Sequence, residues 1–404
     1  AVHPTPVRPT PVVPGTCAAS ALVGARPGGA LARVSLAVRA LLLTFAEEGG
    51  AAVLVAVSGG ADSLALAVTA IDQCVRLGVP VHTLTVDHGL RHGSAREAAD
   101  VARVLGSLGA RATWTGVEVG QGGGPEGAAR DARRQALRGH AMSLLGDDIT
   151  RVAILLGHTM DDQAETVLLR LARGSGSHSL RAMSATDPEG PLLWARPLLG
   201  TRRADTRAAC RQMGVAWVED PTNASDGPWR ASDGSALRRS AVRTEALPAL
   251  ARALGQDPVP ALARSARLLA RDDAALSELA SDLLRRTLAE GNRGQDSGQE
   301  HPGGCAQGHP GDGRPRLLVG VGELERAAPA VRERALRRAL LRAGARPGSL
   351  SATHIEAVDA LVTAWHGQGP LDLPGVGVAR RMHPGGAVLE MTSVGGNTTA
   401  EEYR

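Results

Sequence analysis

The sequence predicts an α/β fold, a parallel-sheet domain that carries the chemistry followed by a smaller, mostly helical domain. Three observations support this. Between Ala51 and Asp220 short apolar runs alternate with helical stretches, the pattern of a parallel sheet covered on both faces. The first of these runs, Val53–Val57, leads straight into Ser58-Gly59-Gly60-Ala61-Asp62-Ser63 and then into a helix. Beyond Ser235 apolar residues recur every three or four positions (Leu262, Leu268, Leu269, Leu276, Leu279, Leu283, Leu284), which is a helical period.

Taken in order, Ala1–Ala32 is rich in Pro, Ala and Gly, and its prolines at 4, 6, 9, 11 and 14 break any continuous apolar run. It is expected to be a disordered tail over 1–32, and it does not read as a signal peptide. Val34–Phe45 is too short to span a bilayer and carries Arg39, so it reads as an amphipathic helix. A catalytic domain is expected over 33–233. Its strands are Val53–Val57, Val81–Val86, Ala112–Val117, Arg151–Leu156, Leu192–Pro197 and Val215–Val218, with helices near 62–77, 94–108, 125–145, 161–172 and 201–213. The second domain is expected over 234–391. It is interrupted at 291–316 by a Gly/Pro/Gln/His-rich run that cannot form a core and reads as a disordered insertion. Helices at 329–342 and 351–366, short strands at 377–382 and 387–391, and a tail over 392–404 complete the chain.

Composition narrows the chemistry. The 404 residues are 43% hydrophobic, enough for two cores, and the net charge of +4 is only mildly basic. Every one of the 45 basic residues is arginine, which excludes a lysine Schiff base or lysine general base while leaving good phosphate binders. Aromatic residues make up 2%, too few for a base-stacking platform. Cys17, Cys74, Cys210 and Cys305 show no C-x-x-C spacing, which suits a reducing compartment and argues against zinc or an iron–sulfur cluster. His301, Cys305 and His309 have a metal-like spacing, but in so unstructured a run they are not read as a site.

Ligands of a parallel sheet bind beyond the carboxyl ends of its strands, and the notable residues fall there. A glycine turn between strand and helix presents backbone N–H groups to a phosphate, with Ser58 and Ser63 adding hydroxyls. Asp62 would repel that phosphate unless Mg²⁺ stood between them, so the loop points to a nucleotide with its metal. No Gly-Lys-Ser/Thr follows, so it is not a Walker A loop. The second constellation is Gly157-His158-Thr159-Met160-Asp161-Asp162-Gln163-Ala164-Glu165, again where a strand passes into a helix. Asp161 and Glu165 are four apart and Asp162 and Glu165 three apart, so both pairs share a helix face. Thr159 and Asp162 resemble an acidic capping box, which explains one acid of the three.

The hexapeptide SGGADS resembles the loop of the PP-loop ATP pyrophosphatases. The motifs that follow it are Val86-Asp87-His88-Gly89-Leu90-Arg91, Glu126–Arg133, the Gly157–Gly176 stretch GHTMDDQAETVLLRLARGSG, Ala195-Arg196-Pro197-Leu198-Leu199 and Glu219-Asp220-Pro221-Thr222-Asn223. That order is similar to the tRNA(Ile)-lysidine synthetase family. Leu268–Asp273 resembles the family's middle domain, and the likeness covers about Val34–Glu290 and Leu317–Leu389. One element departs: where the family has Arg-Asn-x-x-Arg, this chain has Arg239-Ser240-Ala241-Val242-Arg243.

The resemblance implies ATP-dependent ligation of free L-lysine to C2 of the wobble cytidine of an isoleucine tRNA with a CAU anticodon. The reaction would pass through an adenylated cytidine and yield AMP and pyrophosphate. On that reading Ser58, Gly59, Gly60, Ala61, Asp62, Ser63, His88 and Gly157 bind ATP, and Asp62 holds Mg²⁺. Asp62, Asp161 and Glu165 are catalytic, while Asp161, Asp162 and Glu165 lie near the lysine amine or the metal. Arg130, Arg133, Arg196, Arg239 and Arg243 contact tRNA or phosphate. The implied setting is the cytoplasm, with no membrane partner and with homodimer formation left open. Thiolation of tRNA by the same loop is the alternative, but that chemistry needs positioned cysteines.

Overall fold

The structure, a computed structural model, describes residues 18–89, 93–118, 120, 125–174, 176–218, 238–292 and 316–394. The run holding His301, Cys305 and His309 and the segment 219–237 lie outside the described residues. The chain divides into two compact units, Ala1–Ala270 and Arg271–Arg404.

The first unit begins earlier than its sequence suggests. Helix α1 (Ala18–Val23) and helix α2 (Gly29–Glu47) are ordered, and Ala19, Val23 and Leu31 lie in the core. The expected tail over 1–32 therefore does not hold for residues 18–32. Helix α2 is the one described helix long and apolar enough to cross a membrane. Its Val34, Val38, Leu42 and Phe45 are buried in the protein core instead.

Strand β1 (Ala52–Val57) is followed by α3 (Ala61–Leu77), β2 (Val81–Asp87), α4 (Ser94–Ser107), β3 (Arg111–Gly116), α5 (Pro125–Ser143), β4 (Val152–Leu155) and α6 (Met160–Leu171). Next come α7 (Ser177–Leu180), the hairpin β5 (Thr186–Glu189) and β6 (Leu192–Ala195), and α8 (Arg203–Met213). The six strands lie in the order β3-β2-β1-β4-β6-β5, all parallel except the edge strand β5, which the sequence did not reveal. Two faces follow from strand alternation. Val53, Val55 and Val57 of β1 join the core under α2, α3 and α8, while Ala52 and Leu54 join Leu137 of α5 on the other side. Strand order reverses between β1 and β4, so the loops after these two strands flank the switch point at which such sheets bind ligands.

Val215–Val218 is not a strand. It packs Val215 and Trp217 against the core and donates the Val218 N–H to the Gly59 carbonyl at 3.0 Å, closing over the loop after β1. Helix α9 (Arg238–Ala241), a π-helical turn at Val242–Ala246 and α10 (Leu247–Leu254) follow, then the long α11 (Val259–Asn292). The unit boundary falls inside α11, well beyond the boundary at 233 expected from composition.

The second unit is less purely helical than expected. Strand β7 (Arg316–Gly320), α12 (Val321–Arg326), α13 (Pro329–Arg342) and α14 (Ala352–Thr363) precede β8 (Leu371–Leu373), β9 (Val376–His383) and β10 (Gly386–Ser393). The strands form an antiparallel sheet in the order β7-β10-β9-β8. Val319, Val378, Leu389 and Met391 bury one face of it against Leu336, Leu340, Val358 and Leu361. The strands expected at 377–382 and 387–391 are the central pair; β7 directly follows the low-complexity run in sequence and β8 has only three residues, so neither showed a period.

Candidate active site

The loop after β1 is built by its own side chains. Ser63 accepts the Ser58 N–H at 3.1 Å and donates to the Gly60 carbonyl at 2.9 Å, so its hydroxyl clamps the turn. Gly59 sits at φ +79°, a conformation that favours glycine. No side chain caps α3, so its first-turn N–H groups face outward from the switch point. Gly157, after β4, touches this turn closely. A Cβ there would stand 3.1 Å from Ser63 Cα and 3.2 Å from the Asp62 carbonyl carbon.

Helix α6 opens beside the loop, and its acids divide into two roles. Asp162 closes the capping box, accepting the Thr159 N–H at 2.8 Å and the Thr159 hydroxyl at 2.7 Å. Asp161 turns away from the loop and accepts the backbone N–H of Arg203 at 2.8 Å, together with the Arg202 guanidinium at 3.1 and 3.2 Å. It caps α8 and anchors Arg202, which also reaches Asp257. Glu165 is fully buried.

At the centre lies a residue that the motifs did not flag. The Arg203 guanidinium donates to Asp62 at 3.3 Å, Asp162 at 2.8 Å and Glu165 at 3.1 Å, so three carboxylates from two strand-end motifs share one cation. Thr206, one turn along α8, donates to the other oxygen of Asp62. A sequence signal did exist. Arg202 and Arg203 stand at the positive end of the α8 dipole, an unfavourable place for cations unless carboxylates meet them.

Glu165 receives a second arginine. Arg243 donates from Nε at 2.8 Å and from Nη2 at 3.1 Å in a two-pronged pair, and Arg239 lies 3.7 Å from Glu165 while donating to the Thr166 hydroxyl at 3.2 Å. The sequence places both arginines in the helical domain as tRNA or phosphate contacts; in the structure both meet the carboxylate cluster. They are four residues apart, Arg239 in α9 and Arg243 inside the π-helical turn, a distortion found often at functional sites.

Burial raises Asp62 above its usual carboxylate range, opposed by Thr206 and Arg203. Burial would also raise Asp162, but Arg203 and the bonds from Thr159 outweigh it and hold Asp162 low. Arg203 is held well above its usual value because Asp162, Glu165 and Asp62 outweigh the burial that would lower it. His158 is pushed down to about 3 by burial, with Arg133, Arg196 and Arg239 adding to the effect and Asp162 opposing it. The imidazole is therefore neutral, and its Nδ1 is buried without a hydrogen-bond partner.

Of the remaining expected residues, Arg133 and Arg196 gather with Arg239 around His158, and Arg130 lies near Arg133. Arg196 is tied into the β5–β6 hairpin through the Ser184 carbonyl and Asp187, each at 2.8 Å. Arg133 is held below its usual value by burial and then by Arg130 and Arg239. His88 sits at the end of β2, beside a turn in which Asp87 accepts the Gly89 N–H at 3.0 Å. Cys210 lies under the loop, its Sγ 3.4 Å from the Ala61 carbonyl, but burial pushes its thiol up to about 11, and Cys74 to about 12. Neither described cysteine is a ready nucleophile.

Known proteins are similar to this chain in sequence. A PP-loop domain model matches residues 35–250, and a TilS substrate binding domain model matches residues 321–383. The tRNA(Ile)-lysidine synthase of Salinispora arenicola is 45% identical over 85% of this chain and 92% of its own length. Its counterpart from Streptomyces coelicolor is 46% identical over 81% and 82%, and that from Thermobifida fusca 42% over 90% and 98%. Among solved structures, the U34-tRNA thiolase NcsA from Methanococcus maripaludis, with its [4Fe-4S] cluster, is similar at TM-score 0.41 and 16% identity, covering 54% of this chain and 72% of that one. The chain belongs to the tRNA(Ile)-lysidine synthase family, whose PP-loop domain uses ATP.

Proposed function

We propose that the chain joins the ε-amine of free L-lysine to C2 of the wobble cytidine in a CAU-anticodon isoleucine tRNA, in the cytoplasm, converting ATP to AMP and pyrophosphate. The observation that carries this reading is the convergence of Asp62, Asp162 and Glu165 on one guanidinium beside the phosphate-type loop. A set of acids already matched to a cation, next to a nucleotide loop, suits an alkylammonium that must approach an adenylated base.

The roles divide along the geometry. Ser58–Ser63 and the start of α3 receive the triphosphate, with Gly157 allowing the close approach. The cytidine oxygen displaces pyrophosphate, and the lysine amine then displaces AMP. Glu165, sharing Arg203 and Arg243, orients the ammonium, and a carboxylate of the set takes its proton as the nitrogen becomes nucleophilic. Asp161 serves by holding α8, and with it Arg203, in place. A single carboxylate with phosphate oxygens and water is a usual Mg²⁺ environment, and Asp62 fits it. Among the described residues no group of three His, Cys, Asp or Glu could hold an ion unaided. When bound, the ion would neutralise charge on the phosphates. Thiolation is not favoured, since both described cysteines are buried and protonated.

The test is incubation with ATP, labelled lysine and a CAU-anticodon isoleucine tRNA transcript. Label incorporated at the wobble position, with AMP released, is the expected outcome. ATP turnover without incorporation overturns the reading.

A further inference from the structure

Helix α8 meets Asp62 with two side chains of different kinds. Among the described residues the donors to this carboxylate are Arg203 Nε, 3.3 Å from Oδ2, and the Thr206 hydroxyl, which reaches Oδ1. Thr206 is fully buried and belongs to none of the motifs. The helix that carries both donors is itself tied to α2. The Leu31 N–H donates to Gln212 Oε1 at 2.9 Å, and Arg33 pairs with Asp205, the neighbour of Thr206, at 2.6 Å.

A simple explanation exists: a helical threonine often returns its proton to a carbonyl one turn back, and the Arg203 carbonyl lies 2.8 Å from the Thr206 hydroxyl. Two features resist it. The Arg203 carbonyl opens α8, so the helical ladder already gives it the N–H four residues on; the helix does not need the hydroxyl. The carboxylate does, because its two oxygens are held unequally. Arg203 bonds Asp162 at 2.8 Å and Glu165 at 3.1 Å, so its 3.3 Å bond to Asp62 is the longest of the three and the first to give. An approaching cation repels the guanidinium from Oδ2, whereas the neutral hydroxyl on Oδ1 stays.

Resting on the reading of Asp62 given above, we infer that Thr206 is a positioning residue for the divalent cation of the nucleotide: it holds Asp62 by Oδ1 and so presents Oδ2 to the ion. Hydrogen-bond partners of a ligating carboxylate set its orientation, and losing one typically weakens metal binding about ten- to a hundredfold. The hydroxyl has one proton to give, and it suits this place because it adds no charge beside the ion.

Three variants test this: Thr206→Val keeps the shape and removes the proton, Thr206→Ser keeps the hydroxyl, and Thr206→Cys leaves a weak donor. Calorimetry measures the affinity of each for α,β-methylene-ATP, once in EDTA and once in Mg²⁺, and thermal melting checks the folds. All should match the wild type in EDTA. In Mg²⁺, Thr206→Val should lose about tenfold of the affinity that the ion adds, with Thr206→Cys between and Thr206→Ser close to the wild type. Should Thr206→Val fail to fold, the contrast between Thr206→Cys and Thr206→Ser decides. An equal gain from Mg²⁺ in all of the proteins overturns the inference. So does a loss already present in EDTA, which assigns the hydroxyl to the loop itself. If the wild-type chain forms no lysidine, the functional reading fails separately, and the Mg²⁺ contrast still decides the role of Thr206.

Discussion

Both units bury an arginine against carboxylate, and the two do it differently. In the second unit Arg332 meets Asp359 fork to fork, Nε to Oδ1 at 2.6 Å and Nη2 to Oδ2 at 3.2 Å, and places its third nitrogen on the Ala327 carbonyl at 2.7 Å. In the first unit Arg203 directs one nitrogen to each of three acids. The first geometry is complete and joins the start of α13 to α14; nothing is left for a ligand. The second is divided, and no acid of the three depends on Arg203 alone, since Asp62 also has Thr206, Asp162 has Thr159, and Glu165 has Arg243. A shared cation can yield one partner to an incoming ammonium or metal without stranding the others. Whether a buried arginine serves the fold or a ligand is thus readable from how its fork is divided.

The largest effect should come from removing each cation. Arg203→Met and Arg332→Met should both cost stability, about 3–5 kcal/mol by the usual cost of breaking a buried pair. Only Arg203→Met should abolish lysine transfer, while Arg332→Met should keep its turnover number at temperatures where it stays folded. Denaturant melts run beside lysidine assays check this; equal loss of activity in the two would erase the distinction.

Close backbone approaches give the next contrast. A Cβ at Gly375 would reach the Gly344 carbonyl at 2.7 Å, and one at Gly157 would press on Ser63 and Asp62. Gly375→Ala should lower the melting temperature and leave the Michaelis constant for ATP alone. Gly157→Ala should raise that constant several-fold, as measured by ATP titration at saturating tRNA and lysine.

The smallest effect concerns pH. His158 is held at about 3 when folded, against about 6.5 in an open chain. Its folded pKa is depressed, so the unfolded state binds the extra proton between these values, and stability falls as pH drops below about 6.5. His158→Gln should remove up to about 1.4 kcal/mol per pH unit from that decline between pH 6 and 5, seen as a flatter melting-temperature profile.

Much of this was legible in the sequence because it is local. The hexapeptide after β1, the acids of α6 and the alternation of strand and helix all lie within single windows of chain. What stayed hidden is what long-range packing supplies. Arg203 reaches Asp62 across 141 positions, and Arg243 reaches Glu165 across 78. Neither pairing has a periodic signature, although cations at the start of α8 were a clue that acids must meet them. Composition misled at the N-terminus, where the small apolar residues of α1 read as low complexity but pack into the core. It also hid β5, a four-residue edge strand containing Pro188.

The central claim is that the divided carboxylate set is the amine site, and Glu165 tests it most directly. Single-turnover reactions of Glu165→Gln with ATP and the CAU transcript, chased with labelled lysine, separate the two half-reactions. The account predicts that adenylated tRNA forms and persists while lysine transfer fails. Lysine transfer at the wild-type rate would contradict it, as would loss of adenylation and transfer together in a well-folded variant.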